Sequence, residues 1–318
     1  MNSKSKMQRH MEQNLSNLIR PMSVVANEAV QYIAGRREHK IVSLKTRWNK
    51  FNKQCMGGIE PNTVLTIAGI SGSGKSSFAN LITTDVIDLN ESEDVIVLNF
   101  SLEMVGFRQV GRTLSNKLRR TTSTLYSSEK DLDDNTFRMV VSVTNKLKEY
   151  PIYFVDSPTT PTQVKDIIFQ FYDTYVKGTN KHFLIVYDHA LLTKQVGSVL
   201  ETISELERVF IQAKKLPMTS IIQLAQMNRN IESSERINNP TSHYPMRSDL
   251  SSSDAIFQAS DYVCVIHRPE ILGIQEYGPN HLPTSNKVYI HMLKNRDAGK
   301  PCILEFENDL AFNNLIEV

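Results

Sequence analysis

No uninterrupted apolar run in the 318-residue chain reaches the ~20 residues that a bilayer span requires. A membrane-spanning helix is therefore not expected, and neither is a signal peptide, because the basic, polar N-terminus lacks an apolar core. Cysteine is scarce. Cys55, Cys264 and Cys302 have neither paired nor metal-ligand spacing, which predicts reduced thiols in a cytoplasmic protein and argues against a disulfide framework or a zinc site. An excess of charge of one sign is also missing. The 36 Lys and Arg against 34 Asp and Glu leave a formal net charge of +2, so any nucleic-acid contact must come from a local basic cluster. No internal repeat or low-complexity tract interrupts an otherwise ordinary globular composition.

Against these absences, residues Gly69-Ile70-Ser71-Gly72-Ser73-Gly74-Lys75-Ser76 form a complete G-x-x-x-x-G-K-S phosphate loop. The apolar run Val64-Leu65-Thr66-Ile67-Ala68 leads in as a buried strand, and Ser77-Phe78-Ala79-Asn80-Leu81-Ile82 leads out with helical character. Glycines let the backbone turn tightly, so that successive N–H groups and a helix N-terminus face the phosphates. The pattern predicts nucleoside-triphosphate binding by Gly69, Ser71, Gly72, Ser73, Gly74, Lys75, Ser76 and Ser77. Lys75 would reach the β- and γ-phosphates, and the Ser76 hydroxyl would ligate Mg²⁺.

The polar segment holding Lys4, Lys6, Arg9, His10, Gln13 and Asn14 ends at Pro21. Beyond it, Val24, Val25, Ala29, Ile33 and Ala34 recur near helical spacing, predicting a short amphipathic helix to Arg37. That helix either packs on its own domain or serves as an arm docking on a neighbouring copy. From Ile41 onward strands alternate with helices, the signature of a parallel sheet covered on both faces. Strands are predicted at Val64–Ala68, Val95–Phe100, Ile152–Val155, Phe183–Tyr187, Thr219–Leu224, Tyr262–His267 and Lys287–Leu293. Helices are predicted at Ser76–Ile87, Thr162–Tyr175 and Val199–Lys215, and long polar loops at Asn228–Ser253 and Pro269–Asn286.

Two strands end in carboxylates at the sheet edge where ligands bind in open α/β folds. Phe183-Leu184-Ile185-Val186-Tyr187-Asp188 delivers Asp188, a partner of Ser76 for Mg²⁺. Val95 to Phe100 delivers Glu103, which can polarise the water that attacks the γ-phosphate, or can be a solvated helix-start residue behind an N-capping Ser101.

The run Phe100-Ser101-Leu102-Glu103-Met104 resembles the signature of DnaB-type replicative helicases, members of the RecA-like ATPase superfamily. Collinear pieces strengthen the likeness. Gly57-Gly58-Ile59-Glu60-Pro61 precedes the first strand, and Pro151-Ile152-Tyr153-Phe154-Val155-Asp156-Ser157-Pro158 forms a short strand. Gln226-Met227-Asn228-Arg229, Ser248-Asp249-Leu250 with Asp261, and Lys294-Asn295-Arg296 complete a match from Ile41 to Phe312. The resemblance implies an α/β RecA-like P-loop domain over 41–318, with a mostly parallel, helix-covered sheet, behind an N-terminal helical arm at 1–40. It implies an ATP- and Mg²⁺-dependent DNA helicase that forms a homo-oligomeric ring, six subunits by analogy, on single-stranded DNA during replication, with a primase or loader as partner. Gln226 would sense the γ-phosphate, unless it only caps its strand. Arg296 would be an arginine finger and Lys294 a lysine, both reaching a neighbouring subunit's γ-phosphate, unless the pair is merely solvated. Channel loops would contact nucleic acid through Lys194, Arg229, Arg236 and Arg247.

The match departs at three places. Residues 1–40 stand where the family carries a helical domain and a linker helix, so Met22–Arg37 takes the linker position. His189 follows Asp188 where an aromatic residue is common, and Ser251-Ser252 follow Leu250 where charges are common. Two rivals stay open: a recombinase of the same superfamily, and a non-motor ATP-binding loader or assembly module.

Overall fold

Strand alternation sorts the core into two layers. In the computed structural model, which describes residues 19–251, 253–297 and 299–318, the chain divides into two units after Val42. The polar residues from Lys4 to Asn14 and Ser252 lie outside the described residues. The first unit carries α1 (Met22–Arg37). Its apolar residues occur at the predicted spacing, yet Val24 and Val30 fall off the face shared by Val25, Ala29 and Ile33. The helix therefore has no single apolar stripe, and it buries nothing.

The second unit runs through α2 (Asn49–Gln54), β1 (Val64–Gly69), α3 (Lys75–Asp88), β2 (Val95–Ser101), α4 (Gly106–Leu118), α5 (Thr122–Tyr126), α6 (Asp134–Leu147) and β3 (Ile152–Val155). It continues with α7 (Pro161–Tyr175), β4 (His182–Asp188), α8 (Val199–Ala213), β5 (Thr219–Gln226), α9 (Ser234–Ile237), α10 (Ser253–Ala259) and β6 (Tyr262–His267). The hairpin β7 (Glu276–Tyr277) and β8 (Leu282–Pro283) precedes β9 (Lys287–Asn295), β10 (Cys302–Asp309) and β11 (Asn314–Glu317).

Nine strands form one sheet in the order β11-β10-β9-β6-β1-β5-β4-β2-β3. The six from β6 to β3 run parallel, and β9, β10 and β11 extend the sheet antiparallel. All seven predicted strands are present; β10, which buries Leu304 and Phe306 in alternation with Glu305 and Glu307, and β11 are additions. Leu65, Ile67, Val95, Val97, Leu184 and Val186 face α3, where Trp48 stacks on Phe78 at 4.3 Å. Their neighbours Val64, Ile96, Leu98, Phe183 and Ile185 face α7 and α8. Both of those helices start with reciprocal caps, Thr160 with Gln163 and Ser198 with Glu201, which fixes where each leaves the sheet edge. Cys55 and Cys264 lie in this core and Cys302 is half-buried.

The stretch between β2 and β3, to which the sequence assigned no element, folds as α4, α5 and α6. The long loop after β5 contains α9 and short 3-10 turns and joins α10, and the loop after β6 folds over Tyr277, which stacks on Tyr289 at 5.1 Å. Among the described residues, no helix is long and apolar enough to cross a membrane.

Candidate nucleotide site

Four parallel strands end beside one another at a single edge, and each contributes to the same cleft. β1 runs into the phosphate loop, whose Gly72 and Gly74 adopt φ of 76° and 101°, a left-handed conformation that a side chain would strain. Gly69 is required for a different reason: a Cβ there would lie 2.6 Å from the Ile266 carbonyl and 2.4 Å from Ser73 Oγ. Lys75 folds back to donate to the Ile70 carbonyl at 2.9 Å, and burial pushes its ammonium below the usual lysine range. β4 ends at Asp188, in register with Ser101 of β2, and the Leu102 amide donates to the Asp188 carbonyl at 2.9 Å. That bond carries the chain from β2 round to Glu103. Gln226 ends β5 in register with Gly69.

The resulting cleft, about 320 Å³, is lined by Ser71, Gly72, Gly74, Lys75, Ser76, Ser77, Glu103 and Gln226. It also includes Arg112, Arg268 and Leu310, which the sequence reading did not single out. Arg112 comes from α4, nine residues beyond Glu103, and burial lowers its guanidinium against the pull of Asp188 and Glu103. Arg268 directly follows β6, and its buried Nε has no hydrogen-bond partner. A strand-end position at the phosphate-loop edge was the available signal for Arg268.

The electrostatics fit a metal-bound polyanion. Burial, then the Glu103 carboxylate, push Asp188 up to about 6, while a hydrogen bond from Ser76 and the charges of Lys75 and Arg112 pull it down. A divalent cation shared by Ser76 and Asp188 would restore the carboxylate to its charged form. Three cations, one with an orphaned guanidinium N–H, need anionic company in one cleft. His189, half-buried, has its Nε2 3.9 Å from the Glu103 carboxylate.

Lys294 and Arg296 are elsewhere. β9 runs antiparallel to β6, so Lys294 pairs with Val263, which in turn pairs with Thr66 of β1. The Arg296 amide donates to the Asp261 carbonyl, and the Asp261 amide donates to the Val64 carbonyl. Arg296 is therefore level with the start of β1, about 16 Å along the sheet from Gly69 at ~3.3 Å per residue. It belongs to the edge opposite its own phosphate loop.

The four candidate nucleic-acid contacts separate. Lys194 and Arg229 are exposed in loops beyond β4 and β5, at the phosphate-loop edge. Arg247 is exposed but bends over the Phe257 ring, 4.7 Å from its centroid, where Lys294 Nζ also lies at 5.1 Å, and it pairs with Asp254 at 2.7 Å. Arg236 corrects the expectation of a phosphate contact. Its guanidinium is buried, donating to the Ser242 and Tyr244 carbonyls at 2.7 Å each and to the Asp249 carboxylate. It fastens the long loop, and nothing in its sequence neighbourhood distinguished it from a free cation.

With this geometry in hand, comparison with known proteins is decisive: the profile described as "DnaB-like helicase C terminal domain" matches residues 43–313. The chain belongs to that family. It is 29% identical over 223 residues to the replicative DNA helicase DnaB of Mycoplasma genitalium, a match covering 68% of this chain and 44% of the relative. The chain thus spans less than half the length of that curated relative. Among solved structures, one described as an ATPase domain superposes with a TM-score of 0.76 at 19% identity, covering 92% of this chain and 98% of that one. A DnaB-like replicative helicase, from a study of its interactions with primase, gives 0.74 at 18% identity, covering 98% and 75%. These two likenesses establish the RecA-like ATPase fold of the DnaB-like chain.

Proposed function

We propose that this DnaB-like chain is an ATP-dependent DNA helicase subunit, working in a ring whose nucleotide sites lie between copies. The observation that carries this reading is the separation within one chain of Lys75, Ser76, Glu103 and Asp188 from Lys294 and Arg296. Arg296, about 16 Å along the sheet from its own phosphate loop, and Lys294, about 10 Å along it and two strands from β1, would instead serve a phosphoryl-transfer site on another copy. Lys75 and the loop amides would hold the triphosphate, with Arg112 and Arg268 as further donors. Mg²⁺ held by Ser76 and, through water, Asp188 would neutralise charge on the β- and γ-phosphates. Glu103 would orient and deprotonate the attacking water, and Gln226 would report the state of the γ-phosphate to the loop that begins at Asn228.

Lys194 and Arg229 remain the candidates for single-stranded DNA, as phosphate contacts without sequence preference. Arg236 is withdrawn from that set, and Arg247 is engaged by Asp254 and the Phe257 ring. The exposed Val24, Val25, Val30 and Ile33 of α1 suit an arm that covers a neighbour. The structural relative studied with primase makes a primase the first further partner to test.

The test mixes two inactive proteins. Arg296→Ala and Lys75→Ala should each abolish turnover, and their mixture should regain a fraction of wild-type ATP hydrolysis. A mixture as inactive as its parts would reject the shared site. Forked DNA left intact by the wild-type chain despite rapid ATP turnover would instead favour the loader or assembly module, and strand exchange without unwinding would favour the recombinase.

A further inference from the structure

Arg296 is held at two points by one residue, and that residue sits in a cluster built for it. The Asp261 carbonyl accepts from the Arg296 amide at 3.1 Å, and the Asp261 carboxylate forms an ion pair with the Arg296 guanidinium at 3.2 Å. The same carboxylate takes Lys214 Nζ at 2.6 Å and the Val64 amide at 2.9 Å. Asp261 is almost fully buried, and its side chain meets two cations and a β1 amide, a satisfied arrangement for an ionised group out of water.

Lys214 matters because of charge. An aspartate paired with Arg296 alone would cancel the positive charge that an arginine needs to act on a phosphate. With Lys214 neutralising the carboxylate, the guanidinium keeps its net charge while half of its surface stays exposed. The crowding is felt at Lys294 too. Burial lowers its ammonium, and Arg296, Lys214 and Arg247 lower it further, while Asp261 alone opposes them. One anion thus holds together cations that would otherwise repel one another.

We infer that Asp261, balanced by Lys214 from the end of α8, is the positioning residue that sets Arg296 at the seam between copies and preserves its charge there. The inference rests on the shared-site reading above. It assigns a role to two residues that touch neither nucleotide nor DNA within their own chain. Displacing a catalytic cation by about 1 Å lowers rates by up to ~100-fold, which sets the scale expected.

The experiment compares Asp261→Asn, the double variant Asp261→Asn/Lys214→Met, and Arg296→Ala in the full chain, each alone and mixed with Lys75→Ala. The double variant removes both buried charges together, so that neither is stranded without a partner. Asp261→Asn should lower kcat between about tenfold and ~100-fold with KM for ATP changed less than about twofold. Mixing with Lys75→Ala should restore activity to the Asp261 variants as it does to Arg296→Ala, because an intact Arg296 from the Lys75→Ala copy then serves an intact phosphate loop. Wild-type kcat in both Asp261 variants would overturn the inference. So would complementation of Arg296→Ala without complementation of either Asp261 variant, since that pattern means a structural defect within the copy. If no pair complements, including Arg296→Ala with Lys75→Ala, the shared site itself fails, and the failure is distinguishable from that of Asp261 alone.

Discussion

The two edges of the sheet are built from the same kinds of residue and do opposite things with them. At the phosphate-loop edge, Asp188 and Glu103 stand among Lys75, Arg112 and Arg268, and burial, with the Glu103 charge second, pushes Asp188 up to about 6. At the opposite edge, Lys214, Lys294 and Arg296 gather round Asp261, and the G-x-x-x-x-G-K-S loop lies at the far end of β1. The first edge gathers a phosphate loop, carboxylates and cations; the second gathers cations about one carboxylate. On the proposed shared-site reading, the first edge would complete its chemistry against the second edge of a neighbour.

The sharpest way to break that comparison is to remove the proposed general base, Glu103, from the phosphate-loop edge. Glu103→Gln should lower ATP turnover by about 10²- to 10⁴-fold while ATP binding is retained. Steady-state phosphate release beside equilibrium nucleotide binding separates these. Near-normal turnover would show that the water is activated elsewhere, and His189 would be the next residue to change. A second substitution tests whether basic loop residues near the phosphate-loop edge are interchangeable. Arg236→Ala should strand the buried Asp249 carboxylate and cost about 3–5 kcal/mol, read as a lowered midpoint in denaturant. Arg229→Ala should leave that midpoint alone and instead weaken single-stranded DNA binding, with the salt dependence falling by about one phosphate contact. Equal effects from the two would erase the distinction drawn between a fastener and a free cation.

Arg268→Ala comes next. Loss of one charged donor to a phosphate or base corresponds to about 1.5–3 kcal/mol, a rise in KM for ATP of about tenfold or more with kcat little changed. An unchanged KM would mean that its unpaired Nε faces the cleft without serving the nucleotide.

How legible these edges were in the sequence differed for a physical reason. The phosphate-loop edge is made of short contiguous motifs attached to strongly apolar strands, and a strand running into Gly69 or ending at Asp188 announces its own direction. Every residue assigned there from sequence lies at or beside the cleft. The opposite edge is assembled across long separations. Lys214 ends a helix, Asp261 begins a strand, and Arg296 follows a strand whose antiparallel sense only the sheet reveals. Lys294 and Arg296 were picked out by resemblance and Lys214 was not, and the loop residue Arg247 carries no local mark of the ring on which it lies. Arg236 escaped for the same reason, its partners Ser242, Tyr244 and Asp249 being set by how the loop closes. The helices α4 to α6 were missed although Phe137, Val140, Val141, Thr144 and Leu147 recur at helical spacing in α6 and α4 buries Leu114 and Leu118.

Midway between the two edges, a buried polar thread crosses the sheet at the level of Thr66 and Gln223. Glu207 of α8 accepts from Gln223 Nε2 at 3.2 Å, the same nitrogen lies 2.9 Å from Thr66 Oγ1, and Thr66 meets Ser260 Oγ at 2.6 Å, one residue from Asp261. Oε1 of Glu207 and Oε1 of Gln223 have no donor. A proton on Glu207 supplies the donor that the thread lacks, and burial pushes that carboxyl from 4.5 up to about 8, against the pull of Gln223. The folded state therefore holds this proton more tightly than the unfolded chain. Its contribution to stability is complete below pH 4.5 and is lost as pH rises through about 8, at up to about 1.4 kcal/mol per pH unit. Glu207→Gln keeps a donor and an acceptor but cannot ionise. Its unfolding free energy in denaturant should equal that of the wild type near pH 5 and exceed it progressively toward pH 8. Parallel profiles for the two proteins would mean that Glu207 ionises in place without cost, and that the thread between the edges is hydrated.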